Sequence, residues 1–119
     1  MTETEIEFES INKRLNIFGY TGHVILTYKN DTLSNINFDV SRRGSFAYGY
    51  FQTVGKLISL CIRRKVKVDD IIEKLNEVYL FDPAGMTNIS NEPLDSFAKV
   101  IAVLLKNYYK KPEKLNGEK

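Results

Sequence analysis

The chain has 119 residues, of which 43% are apolar and 12% aromatic, so it is long enough for one domain with a substantial hydrophobic core. Its 17 basic and 15 acidic side chains leave a net charge of +2, which is too small to indicate general nucleic-acid binding, and we expect no DNA partner. A single cysteine, Cys61, excludes an internal disulfide and a cysteine-cluster metal site.

The first 40 residues have the apolar alternation of β-strands. Residues 5–11 alternate isoleucine and phenylalanine with glutamates and are predicted to form an edge strand. Residues 24–28 are rich in β-branched and aromatic side chains, and residues 33–40 alternate apolar and polar ones. The Asn-Asp pair between these two segments predicts a turn, so together they form an antiparallel hairpin.

Apolar residues recur at helical spacing in the segment that follows Gly44. Residues 46–64 are predicted to form a first helix with Ser45 as its N-cap. Gly49 and Gly55 each cost such a helix about 1 kcal/mol relative to alanine, which a close approach to the sheet or to a partner helix would offset. Residues 68–79 are predicted to form a second helix.

A third helix is predicted near the end of the chain. Residues 80–90 contain proline, glycine and asparagine and are predicted to be a loop. Asn91 is the expected cap of the third helix, because Pro93 is tolerated in a first helical turn. Strands followed by helices predict the α+β class: a small antiparallel sheet covered by about three helices. We expect one domain over residues 1–110 and a flexible basic tail over 111–119.

Arg42, Arg43 and Ser45 lie where a strand is followed by the first helix. A helix start offers unpaired N–H donors and a partial positive charge, so two guanidinium groups beside it favour an anion-binding site. The alternative interpretation is a solvated arginine pair in a loop.

The predicted loop before the third helix is the second candidate site. Phe81 offers a surface for stacking a base, and Asp82, Thr87 and Asn91 offer polar groups for ribose and phosphate. The alternative interpretation is a capping loop whose phenylalanine packs on the core.

No motif in the sequence indicates catalysis. His23 is the only histidine, and no nucleophile or carboxylate stands at a recognised spacing from it. Asp69 and Asp70 are adjacent and are interpreted as first-turn charges favoured by the helix dipole. We therefore expect no enzymatic activity, no metal site and no cofactor.

Apolar runs are all far shorter than the ~20 residues of a membrane span, and the acidic start is unlike a signal peptide. We expect a cytoplasmic protein without a membrane partner, in the host cytoplasm if a phage encodes it. Tyr48, Tyr50 and Phe51 cannot all face the sheet, so the first helix also predicts a homodimer or higher homo-oligomer.

Several segments resemble the TSCPD domain, a small α+β domain found as a tail on adenosylcobalamin-type ribonucleotide reductases and as standalone proteins. The resemblance lies in Gly44-Ser45, in residues 55–63 (GKLISLCIR), in residues 68–75 (VDDIIEKL) and in the stretch from Pro93 to Lys99. Ser90-Asn91-Glu92-Pro93 stands where the family has Thr-Ser-Cys-Pro-Asp. The resemblance therefore implies no redox or metal role tied to that cysteine here.

In its size and its order of strands and helices, with Phe81 and Asn91 flanking the loop, the chain is also similar to phage sponge proteins that counter the Thoeris defence system. That resemblance implies an oligomer that sequesters a cyclic ADP-ribose isomer without degrading it. It further implies that Phe81 stacks on the adenine, that Asn91 bonds the ribose or phosphate, and that Arg42 or Arg43 neutralises the pyrophosphate. The alternative function is a TSCPD-like accessory module that acts with ribonucleotide reductase or another nucleotide enzyme.

Overall fold

The computed structural model describes residues 8–78, 85–94 and 96–111, with only the backbone of residues 85, 86 and 91–93. The described residues form five strands and three helices. In chain order these are β1 (Phe8–Ile17), β2 (Tyr20–Lys29), β3 (Thr32–Val40), α1 (Phe46–Arg63), α2 (Val68–Leu75), β4 (Gly85–Thr87), β5 (Ser90–Leu94) and α3 (Phe97–Tyr108). The predicted α+β class is confirmed.

The strands form one antiparallel sheet in the order β3-β2-β1-β4-β5. Over residues 8–11 the first strand has no described strand on the side away from β2, as expected for an edge, whereas the end of β1 pairs with β4 on that side through Ile17 and Thr87. The pairing partner comes from 70 residues later in the chain. The local alternation of residues in the first strand therefore carried no information about it.

The turns that join β1 to β2 and β2 to β3 each have two residues with positive φ. Phe18 and Gly19 join β1 to β2 with φ of 55° and 89°, and Asn30 and Asp31 join β2 to β3 with φ of 52° and 73°. Two-residue turns of this kind match the right-handed twist of the strands they join. The predicted Asn-Asp turn is confirmed. Phe18 is an unusual residue for left-handed backbone, and its ring stacks on Phe97 at a centroid distance of 5.5 Å.

The hydrophobic core lies between one face of the sheet and the helices α1 and α3. From the sheet, the fully buried side chains include Leu15, Val24 and Phe38; from the helices they include Phe51 and Ile101. The helix α2 packs against α3 through half-buried aliphatic residues. It ends at Leu75, four residues earlier than predicted.

The helix α1 also covers the free edge of the outer strand β3. The Ser59 hydroxyl accepts from the backbone N–H of Ile36 at 3.0 Å and donates to the Ile36 carbonyl at 3.1 Å, and the Gln52 amide donates to the Phe38 carbonyl. Gly55 lies between Gln52 and Ser59 on this face of the helix, so the backbones can approach closely. These side chains occupy the groups that would otherwise pair with another strand.

The predicted loop over residues 80–90 and the predicted cap at Asn91 require correction. Residues 85–87 and 90–94 pair as β4 and β5, so Asn91 lies in a strand. The helix α3 begins at Phe97, and its N-cap is Ser96, whose hydroxyl accepts from the N–H of Lys99 at 3.1 Å. The residues that the sequence pattern predicted to form the first turn of a helix belong instead to β5, which pairs with β4.

The end of α3 is attached to the sheet by a buried tyrosine. Tyr28 has no exposed surface, and its hydroxyl donates to the carbonyl of Tyr108 at 2.6 Å. Thr32 forms a bridge with Lys110, and the Lys111 ammonium contacts the carboxylates of Glu9 and Asp31. The described chain therefore stays in contact with the sheet as far as Lys111. No helix among the described residues is long and apolar enough to cross a membrane.

Burial, and then the proximity of Tyr108, raise the pKa of Tyr28 well above its ordinary value of 10. Below pH 10 the hydroxyl is protonated in both the folded and unfolded chain. At higher pH the unfolded chain releases this proton first, so we expect the free energy of unfolding to fall by up to about 1.4 kcal/mol per pH unit. Tyr28→Phe should cost about 1 kcal/mol at pH 7 through the lost hydrogen bond.

Urea unfolding of both proteins between pH 7 and 11 measures this dependence. The phenylalanine variant should show a shallower decline above pH 10. A residual decline is expected, because burial also raises the pKa of Tyr50 and a hydrogen bond to Glu9 raises that of Lys111. Equal slopes for the two proteins would contradict the prediction.

Candidate functional site

A cluster of aromatic rings surrounds Phe97 at one end of the sheet. The Phe97 ring lies 5.0 Å from that of Phe51, 5.6 Å from Tyr50 and 5.7 Å from Tyr20, between ring centroids. The turn that carries Phe18 and the first residue of α3 bring these rings together. Burial raises the pKa of Tyr50, so its phenol remains a neutral hydrogen-bonding group at physiological pH.

The amino ends of α1 and α3 meet at a pocket beside this cluster. The pocket has a volume of about 350 Å³ and is lined by the first residues of both helices, Phe46 and Phe97, together with Tyr20 and Tyr50. Ser96 contributes to the same wall, and its hydroxyl also donates to the Val78 carbonyl at 3.0 Å. The amino ends of two helices thus lie at one cavity, and a helix amino end favours negative charge near it.

Arg42 and Arg43 lie in the tight segment that leads into α1. The Ser45 N–H donates to the Arg42 carbonyl at 3.0 Å, and the hydroxyls of Ser41 and Ser45 lie 3.2 Å apart. Gly44 has a φ of 89°, which this reversal requires and which other residues rarely adopt. Both arginine side chains are exposed, and neither forms an ion pair with a described residue. Only Gly44 and Ser45 separate Arg43 from Phe46, so the Cα atoms of Arg43 and Phe46 are at most ~11 Å apart.

The predicted site residues fall into three groups. Ser45 caps α1 as predicted, accepting from the N–H of Tyr48 at 3.1 Å, and the two arginines lie beside it. Phe81 and Asp82 lie outside the described residues, so their predicted contacts stay predictions.

The other two predicted residues lie in the β4–β5 hairpin. Thr87 is largely buried, and its hydroxyl accepts from the N–H of Ile89 at 3.1 Å within the turn. Neighbouring Asn88 bonds the backbone of β1, through Asn16 and Arg14. Asn91 lies in β5, where the structure describes only its backbone. Thr87 does not line the aromatic pocket.

None of the predicted site residues whose side chains the structure describes lines this pocket, and the lining residues that sequence reasoning missed include Tyr20, Phe46, Ser96 and Phe97. Ser96 could have been found, since a serine followed by a helical apolar pattern is a typical N-cap. Phe46 was predicted to begin the first helix but was not assigned to the site. In the structure it is 97% exposed. The convergence of Tyr20 and Phe97 depends on residues 77 positions apart and had no local signal.

The other described residues with potentially reactive side chains do not come together as a catalytic or metal-binding site. The Nδ1 of His23 donates to Asn12 Oδ1 at 3.0 Å on the uncovered face of the sheet, and Cys61 is half-buried in α1. Within residues 8–78, 85–94 and 96–111, no three histidine, cysteine or acidic side chains come together as metal ligands.

Comparison with known proteins identifies the family. No curated protein and no solved structure matches the chain. The family model of the TSCPD domain matches residues 6–109, which include all the described strands and helices. Because this match covers most of the 119 residues, the chain belongs to the TSCPD domain family.

Proposed function

We propose that this protein binds an anionic nucleotide and releases it unchanged, and that its ligand is a cyclic ADP-ribose-type signal that the protein sequesters. The observation that carries this proposal is an aromatic pocket lined by the first residues of α1 and α3, with two exposed arginines in the segment that leads into α1. In this function the protein acts by affinity alone.

The charges of the segment that leads into α1 favour a phosphate-bearing ligand. Arg42 and Arg43 can each donate charge-assisted hydrogen bonds to pyrophosphate oxygens, and a planar guanidinium binds two of these oxygens at once. The amino ends of α1 and α3 add partial positive charge to the same region. Because the arginines have no described carboxylate partner, binding an anion breaks no ion pair with the described residues.

The aromatic side chains favour a ligand that also has a base. Phe46 exposes 97% of its surface at the first position of α1, and Tyr20 exposes 42%. Stacking a purine against such rings contributes about 1–3 kcal/mol per base. The pocket volume of about 350 Å³ lies at the lower end of the range typical of small-molecule sites. One stacked base with two charged phosphate contacts can reach nanomolar affinity, about −12 kcal/mol.

A thermal-shift screen followed by ligand recovery tests this proposal. The protein is screened against cyclic ADP-ribose isomers, ADP-ribose, NAD and ATP, and any ligand that raises the melting temperature is incubated, released by heating and analysed by mass spectrometry. We expect a cyclic ADP-ribose isomer to give the largest shift and to be recovered intact. A linear product after incubation would instead identify an enzyme, and no shift with any nucleotide would contradict nucleotide binding.

Family membership favours a second candidate function. The chain belongs to the TSCPD family, and the resemblance to TSCPD domains that form tails of ribonucleotide reductases leads us to propose, as the alternative, an accessory module of such an enzyme. That function requires a protein partner. Binding of the purified chain to an adenosylcobalamin-type reductase, together with no thermal shift from any free nucleotide, would favour it over sequestration.

A further inference from the structure

A second concave surface lies at the opposite end of the sheet from the aromatic pocket. It is a groove of about 800 Å³ between the start of β1, the β2–β3 turn, the end of α1 and the connector to α2. We call it the basic groove and define it by six of its lining residues: Phe8, Lys29, Arg63, Lys65, Lys67 and Tyr109. Its volume is more than twice that of the aromatic pocket.

The charge of the basic groove has one sign. Lys29 lies on the strand side, and Arg63, Lys65 and Lys67 lie on the opposite side, while no described carboxylate lines the groove. None of these four cations forms an ion pair with a described residue. Arg63 donates one hydrogen bond to Asn35 Oδ1 at 3.0 Å, which leaves most of its donors available. The net charge of +2 averages over the whole chain and therefore conceals this local excess.

The acidic residues that the structure describes near the groove do not neutralise it. Glu9 and Asp31 both contact Lys111 instead, with Asp31 3.5 Å from its ammonium. Asp69 and Asp70 lie in the first turn of α2, where the helix dipole stabilises them. No described carboxylate therefore competes with a ligand for the four cations.

Aromatic rings accompany the cations. Phe8 is 64% exposed at the start of β1, and Tyr109 is half-buried after the end of α3. Cations on two walls would track a chain of phosphates, and an exposed ring offers a stacking face for a base. That combination is typical of grooves that bind single-stranded nucleic acid with little sequence preference.

We propose that the basic groove binds a short segment of single-stranded nucleic acid, with its phosphates between Lys29 and the Arg63–Lys67 connector and a base stacked on Phe8. This site is separate from the nucleotide pocket and does not depend on it. A single strand of RNA or of DNA carries the required chemistry, and the experiment distinguishes the two sugars.

Fluorescence anisotropy with labelled rU15 and dT15 tests the proposal on the full chain. We expect saturable binding at 50 mM salt, with a slope of log K against log salt of about −3 for four phosphates at ~0.7 each. Lys65→Glu/Lys67→Glu should weaken binding at least tenfold, and Phe8→Ala about tenfold. The charge-matched control Lys56→Glu/Lys106→Glu changes two exposed residues outside both sites and should have a much smaller effect.

Each remaining outcome decides the proposal. A preference for rU15 or for dT15 identifies the sugar and supports it. The proposal is overturned if neither oligonucleotide binds, or if the Lys65/Lys67 variant binds as tightly as its charge-matched control. Binding of inorganic polyphosphate or polyglutamate as tight as that of rU15, with no effect of Phe8→Ala, would show a charge-only surface and also overturn it. Arg42→Ala/Arg43→Ala should leave oligonucleotide binding unchanged, which separates this test from that of the nucleotide pocket.

Discussion

Arg42→Ala/Arg43→Ala is expected to weaken binding of the cyclic ADP-ribose-type ligand by about 100-fold at 50 mM salt. Each arginine would lose a charge-assisted contact to pyrophosphate, and such contacts contribute about 1.5–3 kcal/mol before solvent screening reduces them. Because both side chains are exposed, raising the salt should weaken wild-type binding and narrow the difference between the two proteins. Isothermal titration calorimetry at 50 and 300 mM salt measures both effects.

Two controls make this result specific. Lys56→Ala/Lys106→Ala removes the same charge from exposed positions outside the pocket, and its affinity should stay within about threefold of wild type. The arginine variant should keep the wild-type melting temperature without ligand, since neither side chain contacts a described residue through an ion pair. Unchanged affinity in the arginine variant would remove the arginines from the proposed site.

Gly55→Val is expected to destabilise the protein by about 3 kcal/mol, whereas a larger side chain at Gly49 of the same helix should be tolerated. A Cβ atom at Gly55 would lie 3.0 Å from Phe38 Cδ2 and 3.2 Å from the Ile36 carbonyl oxygen. Phe38 is buried, and that carbonyl already accepts from Ser59, so neither can move freely. Overpacking at such a contact typically costs 1–3 kcal/mol or more.

Gly49→Ala is the matched control in α1. A Cβ atom at Gly49 meets nothing within 4 Å, so the expected close approach to the sheet is confirmed for Gly55, whereas an approach to a partner helix at Gly49 stays a prediction. Alanine there should stabilise the protein by about 0.5–1 kcal/mol through helix propensity. Urea unfolding of both variants gives the comparison, and equal effects at the two positions would contradict the close packing of α1 on β3.

The elements with strong local signals were predictable from the sequence. Period-two alternation and the Asn-Asp turn correctly predicted the β2–β3 hairpin, and Ser45 followed by helical spacing correctly predicted α1 with its cap. These features depend on neighbours within about four residues, where backbone hydrogen bonds and side-chain periodicity act directly.

The errors arose where distant segments compete for the same backbone. Asn91 has the sequence features of a cap, yet pairing between β4 and β5 places it in a strand and moves the start of α3 to Phe97. The pairing of β4 with the end of β1 likewise had no local signal, because Ile17 and Thr87 are 70 positions apart. At Asn91 a long-range hydrogen-bonded pairing overrides a local capping preference that is worth at most about 1–2 kcal/mol.

The amino-acid sequence by itself determined the α+β class, the main hairpin, the first helix and the position of two arginines at its start. Only the tertiary structure decided that the amino ends of α1 and α3 share one pocket with Tyr20 and Phe97, and that four cations line a groove at the other end. The physical reason is that periodicity and capping act within one or two turns of chain. Convergence of side chains as far apart in sequence as Tyr20 and Phe97 depends instead on strand order and on the packing of helices against the sheet.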